Sequence, residues 1–152
     1  MTELSRAQIR TQVAHAFRGV PRLPAEDIVL EEYRHNIDAQ EMAGAFGGRL
    51  WTELSLEELF FHRESIFMFS SAGYLSYLPA YMVGSLRDDM ELVPDIGSYL
   101  VSGLRSQRKR RTTQQRLELF DEVQRAAVAA VLGHVAESFD DLRAEKILAD
   151  WT

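Results

Sequence analysis

Ser65–Leu86, SIFMFSSAGYLSYLPAYMVGSL, holds no charged residue, although charges recur on both sides of it. At about 1.5 Å of rise per residue, a helix of this length reaches across the roughly 30 Å hydrocarbon layer of a bilayer. Composition argues against a span. Ser65, Ser70, Ser71, Ser76 and Ser85, with Gly73 and Gly84, dilute the apolarity, and the flanks His62-Arg63-Glu64 and Arg87-Asp88-Asp89 carry no one-sided basic excess to orient it. The expectation is therefore a hub buried on most sides in a helical domain, with no membrane contact.

Backbone signals divide the stretch. Ser70 and Ser71 have side chains that accept from the free amides of a first helical turn, so a helix is expected to begin there. Tyr74, Leu75, Leu78 and Met82 then fall on one helical face, with Tyr77 and Tyr81 in a neighbouring row. Pro79 lacks the amide hydrogen that would bond to the Leu75 carbonyl and pushes Leu78 off helical angles, which predicts a kink or short break at Leu78-Pro79. Gly84 weakens the last turn.

Outward from this hub the chain reads as amphipathic helices in need of an apolar partner. Ile9, Val13, Ala16 and Phe17 make one apolar side of a helix near Glu3–Arg18, which Gly19 and Pro21 end. Residues 25–46 read as one or two helices carrying Ile28, Leu30, Tyr33, Ile37 and Met42, stopped by Gly44, Gly47 and Gly48, after which Trp51 packs its indole on the core. Ser55 and Glu58 have capping-box spacing for a short helix. On the far side, Ile96, Tyr99, Leu100 and Leu104 mark a helix after Val93-Pro94-Asp95. The longest helix is expected from a second capping box, Thr112 and Gln115, through Leu117, Phe120, Ala127, Val131 and Val135 to about Ser138. Asp140-Asp141 then start a last helix with Leu142, Ile147, Leu148 and Trp151 inward. The fold class is all-α: one compact domain over residues 1–152, of about six to eight helices around a buried, Pro-kinked central one.

The run from Trp51 through the Phe-rich turn to Tyr77-Leu78-Pro79-Ala80-Tyr81-Met82, with a Gln-containing helix later and a Trp near the C-terminus, resembles an uncharacterised family of small bacterial proteins, a domain of unknown function. A tryptophan followed by a YLPA-type segment marks that family, and the similarity covers roughly Ala7 to Trp151. The resemblance implies a shared helical fold and carries over no catalytic residue.

A chain of 152 residues buries roughly 68 to 70% of its unfolded surface, enough for a core without staples. Cysteine is absent, which removes thiolate metal sites, redox motifs and cysteine nucleophiles. The opening MTELSRAQIR has no apolar run after its charges, so no secretory signal is read and cytoplasm is the expected compartment. The net charge of −6 is uneven. Arg105, Arg108, Lys109, Arg110, Arg111 and Arg116 form one basic run without acids, so the remainder is distinctly acidic. Such a surface disfavours nonspecific nucleic-acid binding and favours basic partners.

No catalytic residue, cofactor or metal site is read. His15, His35, His62 and His134 stand on four predicted helices as surface or boundary residues, without the one-turn ligand pairs of a zinc site. The carboxylate pairs Glu31-Glu32, Glu57-Glu58, Asp88-Asp89 and Asp140-Asp141 diverge by about 100° on a helix and suit helix starts or solvated faces. The serines lack a nucleophile elbow, and no glycine loop cradles phosphate. Tyr74, Tyr77 and Tyr81 are either core residues or a partner-binding row. The leading expectation is a small adaptor or immunity-type protein that binds another protein, with a basic one as the candidate partner. A pocket for a small molecule at Leu78-Pro79 comes second and nucleic-acid binding through Arg105–Arg116 third, since no aromatic interleaves that run. No pattern points to an oligomeric state.

Overall fold

The computed structural model describes residues 5–104, 118–139 and 141–151. Its elements follow from local chemistry. Ser5 accepts from the Gln8 amide while the Gln8 side chain accepts from the Ser5 amide, and this reciprocal cap opens α1, Arg6–Ala16. Asn36 caps α2, Ile37–Phe46, and the Ser55–Glu58 box opens α3, Leu56–Phe61. Ser70 caps α4, Ser71–Gly84; α5 spans Val93–Leu104, with Pro94 in a first turn that has no amide partner to lose. Asp121 and Gln124 form a further box at α6, Glu122–Ser138, and Asp141 accepts from Ala144 at the start of α7, Leu142–Trp151. Among the described residues these seven α-helices and short 3₁₀ turns make an all-α domain, and the one β-bridge joins Val29 to Phe69.

α4 is the hub. Leu78, Tyr77, Tyr81 and Met82 are fully buried, and α1, α3 and α5 all pack on it. Phe17, Met42, Phe46, Ile96, Leu100, Val131 and Leu132 complete one continuous core around it. At about 25 cal/mol per Å² of apolar surface, burying side chains of this size drives folding. Among the described residues no helix is long and apolar enough to cross a membrane.

Four expectations need correction. Of the kink or short break expected at Leu78-Pro79, the break does not occur: α4 is one helix through Pro79, and both residues are buried. Residues 25–36 are not α-helical: Ala25–Asp27 and Glu31–Tyr33 are single 3₁₀ turns, and helix begins only at Ile37. Their backbone is committed elsewhere, Leu30 donating to Met68 and Ser70 donating to the Ile28 carbonyl. The long helix starts at Glu122, because Asp121 caps it and Phe120 bends the chain; the Thr112–Gln115 box lies outside the described residues. Ile37 and Leu142 point outward, 71% and 66% exposed, each at the first position of a helix where one face is open.

Candidate functional site

The three tyrosines expected at the centre are held by the core. Tyr74, Tyr77 and Tyr81 are at most 2% exposed, so their rings offer no surface to a partner as packed here. Each hydroxyl finds a backbone carbonyl: Tyr74 donates to Gly103 at 3.2 Å and Tyr81 to His62 at 3.2 Å. The Tyr77 hydroxyl stands 2.7 Å from the Arg49 carbonyl and 3.1 Å from that of Phe46, and accepts from the Leu23 amide at 3.3 Å. Burial pushes the Tyr81 phenol far above its ordinary range and raises that of Tyr77 as well. The basic run of Arg105, Arg108, Lys109, Arg110, Arg111 and Arg116 lies outside the described residues.

The histidines separate. His15 and His35 are exposed and His134 is half-buried, but His62 lies in the core rather than at the surface, edge-on to the Phe46 ring at 5.4 Å. Burial lowers its pKa, opposed by the carboxylates of Glu41, Glu58 and Asp38. Among the described residues no group of three or more His, Cys, Asp or Glu side chains could hold a metal ion.

What the structure does bring together is an acidic segment and two exposed aromatic rings. Glu26, Asp27, Glu31, Glu32, Asp38 and Glu41 are all solvent-exposed. The one arginine between them, Arg34, is tied to Glu31 in an ion pair. This segment runs alongside residues 61–69. Tyr33 packs edge-on against Phe67 at 5.5 Å, Leu30 bonds to Met68, and the carboxylates of Asp38 and Glu41 bear on His62. From that strip Phe61 and Phe67 emerge 69% and 41% exposed, and Ile37 stands exposed at the head of α2. Large apolar side chains set among unneutralised acids are the surface chemistry of a docking site.

Reasoning from the sequence missed Phe61 and Phe67 because a Phe-rich turn beside an uncharged stretch reads as core. The signal that was present is the phase of α3. From its capping box, Leu59 points inward at 3% exposed, and Phe61, two residues on, lies well off that side of the helix.

The family model of the family of unknown function DUF6714 matches residues 5–151, and the chain belongs to that family. No curated protein and no solved structure matches it.

Proposed function

We propose that this member of the family works in the cytoplasm by binding another protein, a basic one, as an adaptor or immunity-type protein that covers its partner's positive charge. The observation that carries this reading is the imbalance along Glu26–Glu41: six exposed carboxylates, a lone arginine already paired with Glu31, and the exposed rings of Phe61 and Phe67 on the adjoining strip. Acids of this density steer a cationic partner into encounter, and the rings supply apolar area that is desolvated on contact.

The test is affinity capture from the native host at moderate salt with three baits: the parent, Phe61→Ser/Phe67→Ser, and Asp38→Asn/Glu41→Gln. A basic protein held by the parent and lost from both variants is the expected result. Recovery of no protein, or the same yield on all three baits, overturns the reading.

A further inference from the structure

A cavity of about 320 Å³ lies between Trp51–Leu59 and the last turn of α4, one turn beyond Leu78-Pro79. Its walls are mostly apolar, drawn from Trp51, Leu56, Leu59, Ala80 and Val83, with Arg87 and the Thr52 hydroxyl among its polar lining. That volume falls at the small end of the roughly 300–1,000 Å³ range of pockets that hold small molecules.

Arg87 differs from the other arginines. Arg6 pairs with Asp88, Arg10 donates to the Leu86 carbonyl at 2.8 Å, and Arg18 to that of His15. Arg22, Arg34, Arg49 and Arg143 each join a carboxylate, while Arg63 and Arg125 donate to the carbonyls of Phe60 and Phe120. Arg87 is the one arginine among the described residues whose side chain has no hydrogen bond or ion pair. The acids beside it are engaged: Asp88 faces Arg6, and Asp89 accepts from the amides of Glu91 and Leu92. A lining arginine whose guanidinium has no partner keeps its fork of donors available for a carboxylate.

The geometry points to a binding site for a small amphipathic monocarboxylate, its apolar body between Trp51, Leu59 and Val83 and its anionic head on Arg87. One cation matches one negative charge; a phosphate dianion would leave charge uncompensated. The site is separate from the acidic face proposed to take a protein.

Decanoate below its micellar range, with decanol as the uncharged control, tests this by calorimetry and by the emission of Trp51, whose indole lines the cavity. Decanoate is expected to saturate one site per chain, about tenfold tighter than decanol. Arg87→Gln, at an exposed position, removes that preference and leaves decanol binding unchanged. Thr52→Trp fills the mouth from an exposed position and abolishes binding of both. Absence of saturable binding to the parent, equal affinity for decanoate and decanol, or parental decanoate affinity in Arg87→Gln overturns the proposal.

Discussion

Gly73 and Ile28 meet backbone to backbone: a β-carbon on Gly73 would stand 2.1 Å from the Ile28 carbonyl oxygen. That oxygen also accepts from the Ser70 amide at 2.8 Å, and the Ser70 hydroxyl donates to the Asp27 carbonyl, so the start of α4 is fastened to the 25–30 segment at this point. Gly73→Ala must push two main chains apart and is expected to cost about 2–3 kcal/mol in urea unfolding. Gly44→Ala, in α2 with nothing within 4 Å, is the control and is expected to stabilise by about 0.5–1 kcal/mol.

Tyr77→Phe strands the buried Leu23 amide and frees the carbonyls of Phe46 and Arg49. Leaving such groups unsatisfied costs about 1–3 kcal/mol, to be read as a lower urea midpoint at unchanged slope. Loss of secondary structure in the variant at neutral pH would show a larger role than the hydrogen bonds of one hydroxyl supply.

Glu58 joins the Arg49 guanidinium through both carboxylate oxygens and also accepts from the Ser55 amide. These contacts, the Arg49 hydrogen bond foremost, hold its pKa at about 2 against an ordinary 4.5. A carboxylate depressed in the folded state stabilises it above the ordinary pKa, and that contribution is lost as pH falls from 4.5 towards 2. With Arg49 and Glu58 side chains about a third exposed, solvent screening reduces the effect to roughly 1 kcal/mol. Glu58→Gln is expected to lower stability by that amount at pH 7 and to show a shallower loss on acidification, followed by urea midpoints across the range.

Phe61→Ser removes a ring that is 69% exposed and leans on His62 at 4.8 Å. Its unfolding free energy is expected within about 0.5 kcal/mol of the parent, as for other exposed positions. A loss above 2 kcal/mol would place Phe61 in the core and remove it from the proposed interface.

Much of the architecture was legible in local signals. The uncharged centre, the Ser70 and Ser55 caps and the inward row of Leu78 and Met82 are short-range chemistry, which a sequence displays directly. The segment 25–36 was not legible, because Ile28, Leu30 and Tyr33 have helical spacing while their backbone bonds go to residues 68–70, far along the chain. The start of α6 was misplaced for a different reason. Its apolar rhythm continues upstream past Asp121, and periodicity alone does not register a cap set inside it. Site residues were harder still. Aromatic rings crowd the middle of this chain, and only packing decides that Tyr77 and Tyr81 go inside while Phe61 and Phe67 stay out.

Each of the three phenols of α4 reaches a main-chain oxygen. Since every residue type carries that atom, a substitution at position 46, 49, 62 or 103 keeps the acceptor its latch uses, whereas a change at Tyr74, Tyr77 or Tyr81 unfastens the segment each one holds. What limits variation at the receiving end is therefore the packing of each side chain, as where a β-carbon on Gly103 would stand 2.5 Å from Ile66, and at the giving end the latch itself.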